Sequence, residues 1–410
     1  MLNRVVEFDA LVTIEWRKWN ILMLSICLLI AWNYTVPLAV LHPVSTRLVP
    51  WALYGLDSID FNVYYRAAQV WLSRGNPYAN LSQLSFEYPP LSLPFFALFT
   101  YFGFQLASQL WVLAYFSMFA VALLALGFAL KKDKRPAFVT IAALLLITSY
   151  PFLIMYQLGP IDLFLASLTV LSFVAERLRH RSLSAVILSI AALLKGTPVF
   201  LLIYFVVFRR DLRYLAWFLL STIGIVGISL IIIPVQLYWY WVADLLPRLY
   251  VEYSLESSQS LVRLFYLAGF SKPALEGISI AGFGLFAIFA FYVNSNRWTD
   301  AFGEKTFRAD VMFLMNGLIM LLLSPRSTVY PYVWVILPLA LFLINLLMDH
   351  VKIQYFTWVC LTAVLMNSAL SPNFLYYRTL PLALIGNLML TMSLILIYVH
   401  PTTIFRIVRR

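Results

Sequence analysis

Three observations predict an all-α polytopic membrane protein. Hydrophobic residues make up 62% of the 410 residues and aromatic ones 17%, more apolar surface than a soluble domain of this size buries. Mean hydropathy is +0.86, and windows such as "NILMLSICLLIAWNYTVPLAVL" and "PLALIGNLMLTMSLILIYV" supply the roughly 20 apolar residues needed to cross ~30 Å of hydrocarbon. The basic residues fall in short clusters between apolar runs, "WRK", "KKDKR", "ERLRHR", "RRDLR" and "FRIVRR", the pattern of cytoplasmic loops.

With those clusters inside, spans are expected near 20–42, 107–130, 137–155, 158–175, 182–194, 197–208, 214–234, 273–293, 309–324, 331–349, 355–371 and 379–399, about 12 in all. Both termini then face the cytoplasm of a multi-pass plasma-membrane protein, with 20 of the 29 Lys and Arg inside. The first run follows Arg17 and Lys18, is too long for a signal-peptide core and reads as an uncleaved anchor. Residues 88–104 are apolar too, but as a full crossing they would move "KKDKR" outside. They are expected to form a half-membrane dipping helix, tolerated where protein or water lines it. The pair 182–194 and 197–208 reaches only about 20 Å each, so its junction "LLKGTPVF" is expected in a cavity below the outer surface. Without linkers, repeats or low-complexity tracts, the chain reads as one integral membrane domain over 1–410. Its long extracytoplasmic loops are 43–87 and 235–272.

The net charge of +11 is not arranged as a groove-tracking stripe, so nucleic acid is not an expected partner; the lipid bilayer is. Cys27 and Cys360 lie inside apolar spans, and the four histidines have no ligand spacing. No disulfide, metal site or cofactor is expected. The aromatic run "QLYWYWVADLLPRLY" reads as an interfacial belt in preference to a sugar platform.

The chemistry concentrates in "SIDFNVYYRAAQVWLSRGNPY", residues 58–78. Asp57 or Ser58 is placed to cap a helix that Arg74, Gly75 and Pro77 end. Val63, Ala67, Val70 and Trp71 share an apolar face suited to the outer interface. Asp60 sits in the first turn, where an acid merely complementing the helix dipole is the ordinary reading. Further on, Lys195 interrupts "IAALLKGTPVF". An ammonium there is costly unless it meets an anion or a water-filled cavity, or snorkels to the interface.

The pattern D-x-x-x-Y-Y-x-A-A-x-x-x-x-x-x-G-x-P-Y followed by F-x-Y-P-P-L resembles glycosyltransferase family 87, polyprenol-phosphate-sugar-dependent enzymes that include α-1,2-mannosyltransferases and share the GT-C membrane fold. The matching residues are Asp60, Tyr64, Tyr65, Ala67, Ala68, Gly75, Pro77, Tyr78, Tyr88, Pro89, Pro90 and Leu91. Weaker blocks follow around Lys195 and Pro198, Gln259 and Ser260, and Ser324 and Pro325. The chain departs from the family at "LGPID", where a Gly-Gln-x-Asn turn is frequent, and at Tyr330, where a histidine commonly follows the Ser-Pro motif. Both departures bear on sugar and acceptor specificity.

The resemblance implies a hexosyltransferase acting on the outer face, moving mannose, another hexose or a pentose from a polyprenyl phosphate to a glycolipid or glycan. It implies inverting single displacement, with Asp60 as the base. Tyr64, Tyr65, Glu87, Tyr88, Lys195, Gln259, Arg263, Arg326 and Tyr330 are the candidate substrate-binding residues, with Lys195 the leading cation for the departing phosphate. A divalent ion is not required. A transporter or flippase of lipid-linked sugars, or an oligosaccharide ligase or polymerase, remains the alternative.

Overall fold

The computed structural model describes residues 58–79, 86–147, 149, 155, 156, 158–246, 258, 260–293, 305–324, 327, 330–348 and 382–399. Among these the chain is helical throughout, without strands. The expected spans at 20–42 and 355–371, and the candidates Gln259 and Arg326, lie outside the described residues.

Helices Phe104–Phe128, Leu212–Ser229 and Lys272–Val293 are long and apolar enough to cross a membrane, and only 17–33% of each apolar window is buried. Leu220, Ile223 and Ile228 on one of them, and Leu285 and Ile288 on another, are more than 60% exposed. A soluble protein rarely presents apolar faces of that extent to water, whereas lipid accepts them. The other extreme is Asp162–Arg177, the central helix, where nearly every residue is buried. Phe104–Phe128, Arg181–Leu194 and the turn Tyr330–Val335 all pack against it.

The irregular pieces fall where short apolar runs predicted them. Within the expected dipping segment 88–104, residues 92–101 form a helix Ser92–Ala97 that tightens into a 3₁₀ turn Leu98–Tyr101; ten residues rise only about 15 Å, too short for a crossing. After Arg181–Leu194, the chain breaks at Lys195, whose backbone is extended (φ −155°, ψ 128°). It then resumes as a 3₁₀ turn Thr197–Leu201 and a π-helical turn Ile203–Phe208. One expected loop is more structured than supposed: within 235–272, Val235–Tyr240 continues into a π turn Trp241–Leu245, and Leu261–Leu267 is a further short helix.

The helix Ile59–Leu72 forms a shelf beside the bundle. At its start, of the two expected caps, Asp57 lies outside the described residues, and Ser58 has left-handed backbone (φ 39°, ψ 37°) in place of the extended backbone a cap adopts, so its hydroxyl caps nothing. Its end has the expected order with one shift. Arg74, at φ 64°, takes the left-handed position. Gly75 is needed for close approach, since a Cβ there would lie 2.8 Å from Val70 Cγ1. Phe61, Tyr64, Tyr65, Ala67 and Ala68 face the protein; of the apolar face read from the sequence, Ala67 is buried, Val63 and Trp71 pack partly buried against the core, and only Val70, 40% exposed, points outward.

An aromatic cluster fixes the shelf. Trp111 is fully buried and stacks with Phe61 at 6.1 Å. Phe95, Phe96, Phe99 and Tyr115 meet it edge-on at 5.4–5.9 Å, the arrangement favoured by ring quadrupoles. Its indole N–H donates to the carbonyl of Gly159 at 2.8 Å. Gly159 has φ +69°, and a Cβ there would lie 3.2 Å from the Cβ of Phe61, next in sequence to Asp60. Gly159→Ala is therefore expected to cost about 1–2 kcal/mol in backbone strain alone and to push the shelf outward. Thermal unfolding should show a lower midpoint, with turnover falling more than the residual folded fraction explains.

Candidate active site

The central helix begins with Asp162, directly after the Gly159–Pro160 turn, where an acid also complements the helix dipole. Its side chain is 2% exposed and fully engaged. Lys195 Nζ donates to Oδ1 and Oδ2, both at 2.9 Å, and Trp334 Nε1 donates to Oδ1 at 2.9 Å. The ammonium that interrupts an apolar run thus has an internal counter-ion, supplied by the "LGPID" turn. The Lys195 side chain stays 24% exposed. Two of its three N–H groups are used on Asp162, which leaves one for a further acceptor.

Tyr88 lies beneath this pair, with Lys195 Nζ 5.8 Å from its ring centroid. Its hydroxyl is 2.8 Å from that of Tyr64 on the shelf helix, and its carbonyl accepts from Tyr78 at 2.9 Å. Tyr64 stacks on Phe96 at 4.5 Å. The strip carrying Glu87 and Tyr88 is also docked from the far side. Trp241 Nε1 donates to the Glu87 carbonyl at 3.0 Å, and Tyr240 stacks on Tyr78 at 5.8 Å. Within the run read as an interfacial belt, Trp239 is 71% exposed while its neighbours hold the loop of the site.

Asp60 faces this cluster from the first turn of the shelf. Its carboxyl is raised from the ordinary range to about 7, chiefly by burial, with Asp162 and Glu87 adding to the rise and Lys195 opposing it. No hydrogen bond or ion pair to Asp60 occurs among the described residues. The two aspartates differ in their partners: Asp162 is bound on both oxygens, and Asp60 has no hydrogen-bond partner among the described residues.

The structure thus brings Asp60, Tyr64, Glu87, Tyr88 and Lys195 together, with Asp162 and Trp334 added. It places other candidates elsewhere. Tyr65 donates to the carbonyl of Phe102 at 2.8 Å and packs on Phe104, which ties the shelf to the dipping segment. Arg263 is buried with Nη1 on the carbonyl of Ser258 at 3.2 Å, and neither Asp60, Asp162 nor Lys195 is its partner. Tyr330 opens the turn Tyr330–Val335 that carries Trp334; its side chain lies outside the described residues. A signal for Asp162 existed in the sequence: an anion was one of the partners that would satisfy Lys195, and "LGPID" puts an acid at the start of an apolar run.

A helical bundle with lipid-compatible flanks and a cluster of acids around a cation at one end has the character of an integral membrane protein with a charged site. The model of glycosyltransferase family 87 matches residues 86–325, more than half of the chain. The chain belongs to glycosyltransferase family 87 and is a membrane glycosyltransferase. The matched region contains Glu87, Tyr88, Asp162 and Lys195, while Asp60 lies upstream of it. A search of curated proteins finds no significant match.

Proposed function

We propose that this glycosyltransferase moves a hexose, mannose in the first instance, from a polyprenyl-phosphate donor to a glycolipid or glycan acceptor by inverting single displacement. The observation that carries the reading is Asp60: a carboxylate held unpaired, raised to about 7 by burial and acidic neighbours, beside a fixed ammonium. A base poised near neutral pH is what removal of a hydroxyl proton calls for. Asp60 takes the proton of the acceptor hydroxyl as its oxygen bonds to the sugar's anomeric carbon. The bond from that carbon to the phosphate oxygen breaks, and the polyprenyl phosphate leaves with the electron pair. The free N–H of Lys195 meets the developing phosphate charge, while Tyr64, Glu87 and Tyr88 line the approach. Gln259, Arg326 and Tyr330 stay candidates on the family resemblance alone. The scheme uses no metal or cofactor.

Incubating purified protein with a panel of radiolabelled polyprenyl-phosphate sugars and membrane lipids tests it. Transfer of label into a new glycosidic linkage is expected. Passage of the intact lipid-linked sugar across liposomes with no new linkage would establish the flippase alternative.

The distribution of Lys and Arg supports a site on the extracytoplasmic face of the plasma membrane. A cysteine at Ser82 should accordingly react with an impermeant maleimide added to intact cells, and one at Asp133, exposed in "KKDKR", should not. Labelling of Asp133 and protection of Ser82 would move the reaction to the inner face.

A further inference from the structure

At the other end of the central helix, roughly 22 Å along its axis from Asp162, lies a second cavity of about 1090 Å³. Six cationic side chains line it, Lys131, Lys134, Arg177, Arg179, Arg181 and Arg209, against two carboxylates, Glu176 and Asp310. The carboxylates lie deepest: Asp310 and Glu176 are 2% and 8% exposed, and the Arg177 and Arg209 side chains above them 19% and 39%.

These acids anchor the cations and leave much of their donor capacity unused. Asp310 Oδ1 accepts from Arg177 Nη1 at 2.6 Å, and Oδ2 from Asn345 Nδ2 at 3.0 Å. Asn345 Oδ1 in turn accepts from Lys134 Nζ at 3.0 Å. Glu176 Oε1 accepts both Nε and Nη2 of Arg209, at 2.9 and 2.7 Å. A guanidinium carries five N–H donors, and the remaining ones of Arg177 and Arg209 meet no protein acceptor among the described residues. Tyr204, fully buried in the cavity wall, has a hydroxyl with no hydrogen-bond partner. Buried polar groups are seldom left so. A basic bias at one membrane face accounts for cations here, but not for guanidiniums fixed from below around a cavity with an orphan hydroxyl in its wall.

We propose that this cavity binds a phosphate-bearing anion, the chemistry that pre-oriented guanidiniums recognise through paired N–H groups. The anion is the headgroup of an anionic lipid or a free diphosphate, and the two sources share that chemistry. The site is separate from the one that holds Asp60.

The test uses the full chain in phosphatidylcholine nanodiscs, titrated with phosphatidylglycerol in one arm and inorganic pyrophosphate in the other. Native mass spectrometry reads the first arm and calorimetry the second. Saturation near one ligand per chain is expected, since loose attraction to a basic face gives many weak sites. Saturation by phosphatidylglycerol alone identifies a lipid headgroup, and by pyrophosphate alone a soluble ligand. Arg179→Asn with Arg181→Gln removes two exposed cations and leaves both buried pairs intact; binding should weaken about tenfold or more. Tyr204→Phe removes only the orphan hydroxyl. Weakening by either variant supports the site. Failure of both probes to saturate, or wild-type binding in both variants, overturns it. Asp60→Asn should bind the anion like wild type, which keeps this result independent of the proposed transfer reaction.

Discussion

Asp60→Asn is expected to lower turnover by ~10²-fold or more while donor binding survives. Asparagine keeps the size of the side chain and loses the proton acceptor, and no hydrogen bond or ion pair of Asp60 among the described residues is broken. In the wild type, the ionised base is the active form. With its carboxyl raised to about 7, mainly by burial and then by Asp162, the rate should climb with pH through about 7 and level off above it. Stability runs the opposite way. A carboxyl raised from 3.8 when unfolded to about 7 when folded favours folding below the lower value, and that contribution is lost as pH rises through the higher one. Asp60→Asn should lose no stability across that interval, which separates a lost base from a lost fold. Near-normal turnover in a correctly folded Asp60→Asn protein would remove the base assignment.

Lys195 and Asp162 should part company when each is neutralised. Lys195→Gln removes the cation that faces the donor phosphate, and in a site partly shielded from water that contact is worth on the order of 10- to 100-fold in affinity. Lys195→Arg should keep part of it. Asp162→Asn retains an oxygen for the Trp334 N–H but releases Lys195 from its counter-ion, so a non-hydrolysable polyprenyl-phosphonate should bind at least as tightly as to wild type. The pH–rate midpoint should also move in opposite senses. Lys195 lowers the Asp60 carboxyl and Asp162 raises it, so Lys195→Gln shifts the midpoint up and Asp162→Asn shifts it down. A snorkelling lysine would leave phosphonate affinity the same in wild type and Lys195→Gln. Equal affinities there would leave the phosphate role without support, whatever the midpoints do.

Helices, their faces and the short irregular segments were legible in the sequence because they depend on local spacing. Residues 88–104 were too isolated by charge constraints to be a crossing, and they form the short segment Ser92–Tyr101. The break at "LLKGTPVF" was marked by two runs too short to span, and Lys195 sits at it in extended backbone. The family followed from a spaced block of Tyr, Gly and Pro, and the match over 86–325 supports it. Ser58, one of the two expected caps, does not cap because capping needs extended backbone, and its left-handed conformation is not legible in residue type.

The sequence by itself determined that a cation lies within an apolar run and must find an anion, a water-filled cavity or the interface, since a lone ammonium there is too costly to leave bare. Only the tertiary structure decided which partner. Asp162 is 33 residues away and Trp334 is 172 residues from Asp162, so no local pattern links them. They meet because the central helix starts where the helix before Lys195 ends and the turn Tyr330–Val335 packs against the central helix. The unpaired state of Asp60 was decided the same way. A first-turn acid is ordinary in any helix; aromatic packing of Phe61 against Trp111 and Gly159 docks the shelf so that this one is buried, and burial first, then the charge of Asp162, makes its own charge expensive to hold.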